Sequence, residues 1–409
     1  MNRKLWFTGF QILLFLFLVS SCKKEEESPY SYLVSTEKAT SYTTQYINTL
    51  LDNAVSYYPE ISAVKPFISV GVDVYIIFYT TDIGTKKIKA SGLMCVPQLS
   101  GSYPVISFQN GTNTVDAYAP SNFFVNPQYQ MIEIIASMGY IVLLPDYPGF
   151  GASASVAHPY LVKEPTVRSI VDMLRAVKEA AGNEIRNIEV KNEYYFIGYS
   201  QGGWATMAMH NAMENEYGNE FNLAGSVCGA GPYDLYFLLS NMTDVTVYPM
   251  PVYICYIINA YKAYNQFTNP VTDILKEPYA SKLPSLFNGK QDFGQINSQL
   301  TTSVPDLLTA EFLAGFKSDS KYEPVRNALV SNSIQAWKTM KPLYMLHGGS
   351  DTQVNPQVTE YFYSAMISAG SSTETVKKEI LEGLDHGDAA APAIIKGLLF
   401  INDIHSRLN

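Results

Sequence analysis

Short apolar segments with strand propensity alternate with amphipathic helical segments along most of this 409-residue chain, starting near Pro66. We expect strands at residues 67–80, 86–96, 104–108, 140–144, 194–197, 223–228, 342–346 and 376–381, which are rich in Val, Ile, Leu and Tyr. We expect helices at residues 130–138, from near Pro165 onward, and at 202–217, 357–369 and 390–404. This alternation predicts an α/β fold with a mainly parallel sheet covered by helices on both faces.

The alternation is interrupted between Pro232 and about Trp337. A loop of roughly 100 residues without secondary structure is implausible in a compact domain, and the run from Tyr253 to Tyr264 is apolar and rich in aromatic residues. We therefore predict a mostly helical cap at residues 233–337, inserted between the sixth and seventh strands of this pattern. Residues 30–232 and 338–409 would form the core domain.

The N-terminus has the pattern of an export signal. Arg3 and Lys4 precede a short apolar run at residues 10–19, which is too short to span a membrane comfortably. The following segment, Leu-Val-Ser-Ser-Cys, resembles the lipobox of bacterial lipoproteins and ends at Cys22. We expect a signal peptide at 1–21, lipidation of Cys22 and a charged tether at 22–29. The mature protein would then be exported and anchored by lipid to the bacterial outer membrane, on its periplasmic or cell-surface side.

Composition narrows the classes of function. Apolar residues make up 47% of the chain and charged residues 16%, which is typical of a globular protein with a large core. The net charge is −9 and no basic stripe is visible, so we expect no nucleic-acid partner. Cys95, Cys228 and Cys255 lie in apolar stretches without metal-binding spacing, so we expect no metal site and no cofactor. Two of them could form one disulfide, or all three could be buried free thiols.

Ser200 lies between an expected strand and an expected helix, in the segment Gly198-Tyr199-Ser200-Gln201-Gly202. A Gly-x-Ser-x-Gly segment in this context is typical of a nucleophile elbow, where a tight turn requires small residues two positions before and after the serine. A serine hydroxyl acts as a nucleophile only when a base removes its proton and donors stabilise the oxyanion. We therefore predict Ser200 as the nucleophile.

The base is expected among five histidines. His386 follows the last strand, in a loop that reaches the same sheet edge as Ser200 if the sheet is parallel, so we predict His386 as the base. A core or surface role is favoured for the others, with only His158 kept open as a residue near the cleft: His158, His210, His347 and His405.

The acid that orients the imidazole should follow a neighbouring strand. Asp351 comes just after the strand at 342–346, and we predict this role for it; an Asp there would also suit a helix cap. One oxyanion donor should be the backbone N–H of Gln201, the residue after the nucleophile. The second should come from the loop after the strand at 104–108, with Thr112 as the candidate and Asn113 as the alternative.

Taken together, these motifs resemble the α/β-hydrolase superfamily over about residues 66–405, and most closely secreted lipases and esterases with a large helical cap. The segments that carry the resemblance are 109–112, 145–151, 158–160, 198–203 and 346–351. The order Ser200, Asp351, His386 is the one expected for this superfamily. Asn110-Gly111 replaces the usual His-Gly, which weakens the assignment of the second oxyanion donor.

The resemblance implies hydrolysis of a carboxylic ester through a Ser-His-Asp triad and an acyl-enzyme, with the cap as a lid over the acyl pocket. The ester substrate could be a lipid, an acylated glycan or a small ester. A serine peptidase or an acyltransferase on the same core is an alternative. A non-catalytic lipoprotein that binds glycans or lipids at the surface is another. The sequence gives no expectation for the oligomeric state.

Overall fold

The computed structural model describes residues 29–122 and 124–408. The expected signal peptide, the lipidation site at Cys22 and the tether up to residue 28 therefore lie outside the described residues. Within the described ranges, no helix combines the length and the hydrophobicity needed to cross a membrane.

Strands of the described chain form one mixed sheet. They are β1 (Leu33–Tyr42), β2 (Val72–Ile83), β3 (Lys86–Pro97), β4 (Gly101–Gln109), β5 (Ile141–Pro145), β6 (Ile188–Tyr199), β7 (Leu223–Gly229), β8 (Leu343–Gly348) and β9 (Val376–Leu381). Their spatial order is β1-β2-β3-β5-β4-β6-β7-β8-β9. The pairs β1–β2, β2–β3 and β3–β5 are antiparallel, and all pairs from β5 to β9 are parallel. The predicted α/β class with a mainly parallel sheet is confirmed.

Helices cover both faces of this sheet. Those of the core are α1 (Thr44–Val55), α2 (Pro127–Glu133), α3 (Lys163–Ala180), α4 (Gln201–Asn215), α12 (Gln357–Ser368) and α13 (Ala390–Leu408). Between β7 and β8 lie α5 (Leu235–Met242), α6 (Pro251–Ala263), α7 (Tyr279–Leu286), α8 (Phe293–Asn297), α9 (Val304–Leu307), α10 (Ala310–Gly315) and α11 (Glu323–Asn332). We call residues 235–332 the helical insertion.

Alternating side chains of the central strands divide the core into two layers. Met94 of β3 packs with the residues of α3 and α4, whereas its neighbour Cys95 packs with α1, α2 and α13. The same alternation separates Phe196 from Tyr195 on β6. Because successive strand residues point to opposite faces, a stretch buried on both sides must be apolar throughout, as Leu93–Val96 of β3 and Tyr194–Ile197 of β6 are.

The strands and helices expected from the pattern are all present, with shifted ends. The N-terminal pair β1 and α1 was not predicted. β1 is an edge strand with only its first and last residues buried, so it carries little apolar alternation. The helix expected at 130–138 starts earlier, because Asn126 caps it and Pro127 begins it, and it ends in a 3-10 turn. Gly139 terminates that turn at φ 91°, the left-handed conformation in which glycine commonly ends a helix.

The helical insertion follows the seventh strand of the structure rather than the sixth, since β1 adds one strand to the predicted set. The three described cysteines are buried free thiols: Cys95, Cys228 and Cys255. Of the two alternatives left open by the sequence, the structure therefore has free thiols.

Candidate active site

Ser200 occupies a sharp turn between β6 and α4. Its backbone has φ 59° and ψ −122°, a conformation that a non-glycine residue adopts only where the surrounding fold imposes it. Small neighbours permit the turn: a methyl group on Gly202 would lie 1.8 Å from the carbonyl oxygen of Gln109. One on Gly198 would lie 2.4 Å from the carbonyl oxygen of Gly202. The two glycines of the motif are thus required by packing.

A continuous hydrogen-bonded chain joins Ser200, His386 and Asp351. Nε2 of His386 lies 3.0 Å from Oγ of Ser200, and Nδ1 lies 2.5 Å from Oδ2 of Asp351. A carboxylate only accepts, so Nδ1 carries the proton and Nε2 is left to accept from the serine hydroxyl. The tertiary fold brings together three residues that are separated by 151 and 35 positions in the chain (200 to 351, 351 to 386).

Asp351 is held at both carboxylate oxygens. Oδ1 accepts the backbone N–H groups of Gln353 and Val354, at 2.8 and 2.9 Å. Oδ2 accepts from His386 and from a second imidazole, that of His347. Burial alone would raise the pKa of Asp351, but the hydrogen bonds from His347 and His386 outweigh it and hold this pKa well below its usual range. The carboxylate therefore stays ionised, and it also caps the turn that follows β8.

Sequence reasoning missed the role of His347. Its Nε2 lies 3.1 Å from Oδ2 of Asp351 and 3.0 Å from the carbonyl oxygen of Val354, so this nitrogen is the donor. Its Nδ1 lies 2.7 Å from the hydroxyl of Thr359 on α12. The only signal in the sequence was a histidine at the end of a strand, four residues before the candidate acid.

Tyr199 fixes the loop that carries His386. Its hydroxyl donates to the carbonyl oxygen of His386 at 2.8 Å. Within the loop, the side chain of Asp385 accepts the backbone N–H groups of Gly387 and Asp388, at 2.8 and 2.9 Å. Asp385 thus shapes the turn and is not a partner of the imidazole.

Backbone donors meet at the elbow. The first hydrogen bond of the α4 ladder runs from Trp204 N–H to the carbonyl oxygen of Ser200, so the N–H groups of residues 201–203 precede it at the positive end of the helix. The loop after β4 packs directly beside them, since a methyl group on Gly111 would lie 3.9 Å from Cβ of Ser200. Thr112 is next in this loop, and its hydroxyl lies 3.1 Å from that of Tyr160.

His158 contacts the elbow through the side chain of Gln201. Nδ1 of His158 donates to the carbonyl oxygen of Pro148 at 2.8 Å, so Nε2 accepts from the amide of Gln201, also at 2.8 Å. Burial lowers the pKa of His158 to about 4, which keeps the ring neutral. The histidine that the sequence left open near the cleft therefore touches the residue expected to supply an oxyanion donor.

Tyrosines of the helical insertion contact both loops of the site. Tyr256 of α6 donates to the carbonyl oxygen of Asn113 at 3.1 Å and stacks on the ring of Tyr160. Tyr253, one helical turn before it, donates to the side chain of Gln353 at 2.9 Å. The insertion thus lies over the loop after β4 and over the loop that carries Asp351.

The remaining histidines lie away from the hydrogen-bonded residues Ser200, His386 and Asp351. His210 is fully buried beside Thr339, as a core role requires, with 2.9 Å between Nε2 and the hydroxyl. His405, expected at the surface, is only partly exposed and pairs with Glu193 at 2.5 Å. In the described part of the chain, no group of three or more His, Cys, Asp or Glu side chains is arranged to hold a metal ion.

Comparison with known proteins gives a family. Residues 119–394, more than half of the chain, match the model of the secretory lipase family. No curated protein matches the chain. Among solved structures, the rice cell wall degrading esterase LipA from Xanthomonas oryzae is similar, with a TM-score of 0.78 and 22% identity over 91% of this chain and 97% of that one.

Two further structures share the fold. A hydrolase of Legionella pneumophila has a TM-score of 0.77 and 22% identity, covering 91% of this chain and 98% of that one. Candida antarctica lipase A in its closed state has a TM-score of 0.63 and 16% identity, covering 91% and 81%. At these identities the structures establish the α/β-hydrolase fold, and the family match establishes the class of reaction. The chain belongs to the secretory lipase family and is a carboxylic ester hydrolase.

Proposed function

We propose that this ester hydrolase works through Ser200 as nucleophile, His386 as general base and then acid, and Asp351 as the orienting carboxylate. The observation that carries the proposal is the hydrogen-bonded chain from Ser200 Oγ through both nitrogens of His386 to Asp351 Oδ2, at 3.0 and 2.5 Å. With a proton on Nδ1 of His386, Nε2 is free to accept the serine proton, which is what general-base catalysis needs.

In the first half-reaction, Oγ of Ser200 bonds to the ester carbonyl carbon while Nε2 of His386 takes the hydroxyl proton. The bond between that carbon and the alkoxy oxygen then breaks, and the same proton passes to the departing alcohol. In the second half-reaction, His386 takes a proton from water as the water oxygen attacks the acyl-enzyme. The ester Oγ–C bond breaks, Ser200 is reprotonated and a carboxylic acid leaves.

The backbone N–H of Gln201 is our choice for one oxyanion donor, because it opens α4 next to the nucleophile. The second is the N–H of Thr112, with Asn113 as the alternative. Contact between the loop after β4 and the elbow, through Gly111 and Ser200, supports a donor from this loop. We also assign residues 233–337 as a lid, supported by the contacts of Tyr253 and Tyr256 with both loops of the site.

The direct test is labelling by a fluorophosphonate together with turnover of p-nitrophenyl butyrate. Ser200→Ala should lose labelling and reduce kcat by at least about 10⁴-fold, because the nucleophile is absent. Ser331→Ala is the matched control, an exposed serine on α11 whose loss should change neither readout. Labelling or turnover that survives in folded Ser200→Ala protein would exclude the assignment.

Asp351→Asn should lower kcat by about 10³- to 10⁴-fold without preventing folding, because the amide favours the wrong tautomer of His386. A burst of one p-nitrophenolate per protein, before the steady state, is expected if the acyl-enzyme accumulates. If Asp351→Asn turned over esters as fast as the unaltered protein, another residue would have to orient the imidazole.

Export and lipid anchoring at Cys22 form a separate part of this proposal. The segment Leu18-Val19-Ser20-Ser21-Cys22 supports it, together with the membership of a secretory family. Cells grown with an alkyne analogue of palmitate should incorporate the label into the unaltered chain but not into Cys22→Ser. Cys255→Ser, which changes a buried thiol, is the control that should remain labelled. Equal labelling of Cys22→Ser would rule out this anchor.

A further inference from the structure

An apolar cavity of about 850 Å³ lies beside the candidate active site, between α1, α2 and α13. The described residues that line it include no Asp, Glu, Lys, Arg or His, and most are Ile, Leu, Met, Val, Ala or Tyr. Its volume is near the upper end of the range for small-molecule sites. Its amide and hydroxyl side chains other than tyrosine come from the loop after β4 and the start of α2, at Asn110, Thr112, Asn113, Asn126 and Gln128. The wall along α1 and α13 therefore favours an uncharged hydrocarbon group, because a charged group would lose its hydration there without a partner.

The cavity begins at the residues around the nucleophile. Gly111 and Thr112 of the loop after β4, Tyr199 before Ser200, and Gly387 after His386 all line it. A methyl group on Gly111 would lie only 3.9 Å from Cβ of Ser200. Ser200 and His386 themselves do not line the cavity, so the reacting atoms lie just outside this end of it, from where an acyl group bonded to Ser200 could extend into it.

From there the cavity follows α13. Ala390, Ala391, Ile394, Ile395 and Leu398 line it in succession, so it extends along two turns of this helix, about 12 Å. An extended chain of tetrahedral carbons advances about 1.2 Å per bond, by analogy with the extended backbone, so the stretch along α13 alone holds about ten carbons. The cavity also reaches α1 and the turns after it, which leaves room for longer chains. α13 starts four residues after His386, so the distance along this helix measures how far a chain extends from the reacting atoms.

The far wall comes from the N-terminal segment. Leu51 and Ala54 of α1, together with Ile61 and Val64 of the 3-10 turns after it, face the cavity. These residues precede residue 119, where the match to the secretory lipase family begins. The helical insertion supplies only Phe293 to the lining, so an acyl chain in this cavity would lie outside the space beneath the insertion, where the resemblance to lipases places the acyl pocket.

We propose that this cavity binds the acyl chain of a linear ester with ten or more carbons, and that the segment at residues 44–67 sets the longest chain accepted. The inference rests on the proposed role of Ser200. The acyl chain, rather than the alcohol, is the occupant because it stays bonded to Ser200 until water attacks the acyl-enzyme, which gives it time to lie along the apolar wall. The alcohol has to leave and water has to enter beside His386, which requires an open side.

The test compares Ala54→Trp with Asn53→Trp. Ala54 lines the cavity, whereas Asn53 is the exposed neighbour on the same helix, so the control introduces the same indole outside the cavity. Both are assayed on p-nitrophenyl esters from C2 to C16, which share one leaving group. Each buried methylene contributes roughly fourfold to binding, so an indole that displaces two or more should lower the C16-to-C4 ratio of kcat/KM by at least about tenfold. The ratio should be unchanged in Asn53→Trp.

Ala391→Phe is the second variant, and it blocks the cavity near His386 rather than at its far wall. It should begin to lower kcat/KM at shorter acyl chains than Ala54→Trp does. Identical profiles for Ala54→Trp, Ala391→Phe and Asn53→Trp would overturn the inference. The inference would also be overturned if these variants lowered turnover of dodecyl acetate, which has a long alcohol, but not of p-nitrophenyl laurate, which has a long acyl chain.

A binding readout separates this inference from the proposed function. On the Ser200→Ala background, cis-parinaric acid, a fluorescent linear C18 acid, should bind at least about tenfold more weakly when Ala54→Trp is added than when Asn53→Trp is added. Equal affinities would refute the cavity assignment even if Ser200 is the nucleophile. If the affinities differ but the unaltered protein hydrolyses no ester, the role of Ser200 fails and the cavity assignment stands.

Discussion

His347 and Asp351 form a hydrogen bond of 3.1 Å on the same carboxylate oxygen that accepts from His386. Two imidazoles therefore hold one oxygen of the carboxylate, one from the strand end of β8 and one from the loop after β9. The second imidazole is anchored in turn by Thr359 and the carbonyl oxygen of Val354. If Asp351 orients His386 as proposed, His347 is a positioning residue that acts on the reaction through Asp351.

We expect His347→Leu to lower kcat by about tenfold, the value of one hydrogen bond to a charged group, with KM for a short ester changed less than twofold. His347→Gln keeps a donor and should recover part of the loss. The measurement is steady-state kinetics with p-nitrophenyl butyrate.

His210→Leu is the control for that experiment, because His210 is also fully buried and hydrogen-bonded but lies beside Thr339, away from the site. It should reduce stability while kcat is retained. Equal loss of kcat in the two leucine variants would mean that His347 serves the fold alone.

His158 should make stability fall in acid. Burial lowers its pKa in the folded protein to about 4, from the ordinary histidine value of 6.5, so the unfolded state takes up a proton that the folded state does not. Stability is therefore present above pH 6.5 and falls as the pH drops toward 4, by about 2 kcal/mol between pH 7 and pH 5. Urea unfolding at the two pH values should show this drop shrinking in His158→Gln.

Comparing His158→Gln with His158→Leu tests the contact with Gln201, whose amide donates to Nε2 of His158. A glutamine at position 158 can still accept that bond, whereas His158→Leu leaves the buried amide without it, at a cost of about 1–3 kcal/mol. If the drop between pH 7 and pH 5 were the same in His158→Gln as in the unaltered protein, another group would be responsible for it.

Glu133 should destabilise the folded protein at alkaline pH. It is fully buried, Tyr42 donates to one carboxylate oxygen at 2.7 Å, and the other oxygen has no hydrogen-bond partner in the described part of the chain. Burial raises its pKa to about 7 from 4.5. Its ionisation then opposes folding increasingly as the pH rises from 4.5 through 7.

Glu133→Gln removes this titration, so its effect on stability should be about 2–3 kcal/mol more favourable at pH 8 than at pH 5. Denaturant unfolding at both pH values measures the difference. A benefit that did not grow with pH would show that ionisation of this carboxyl is not the cause.

Gly202→Ala should prevent the elbow from forming, because the added methyl would lie 1.8 Å from the carbonyl oxygen of Gln109. We expect a loss of more than about 4 kcal/mol in stability, or failure to fold, together with loss of fluorophosphonate labelling. Gly294→Ala is the matched control at an exposed position of α8, where the nearest heavy atom is a side-chain oxygen of Asp292 at 3.3 Å. Normal stability and labelling in Gly202→Ala would refute the steric argument.

Local sequence pattern was enough to predict the parallel sheet and the strand–turn–helix around Ser200. Apolar strands that are buried on both faces have a signature within a few residues, and the glycines of the elbow are fixed by the same short turn. The pattern failed for β1, an edge strand with few buried side chains. It also missed α1, although Thr43 caps this helix and Ile47 and Leu51 are spaced by one turn. That capping and spacing could have been found.

The sequence by itself determined the type of sheet, the strand–turn–helix setting of Ser200 and the chain order of Ser200, Asp351 and His386. Tertiary structure alone decided that His347 shares a carboxylate oxygen with His386, that His158 holds Gln201, and that α1 closes a cavity beside the site. The physical reason is the range of the interactions. Turns and strand burial are encoded between near neighbours, whereas these contacts join residues that meet only when loops from distant strands converge at one edge of the sheet.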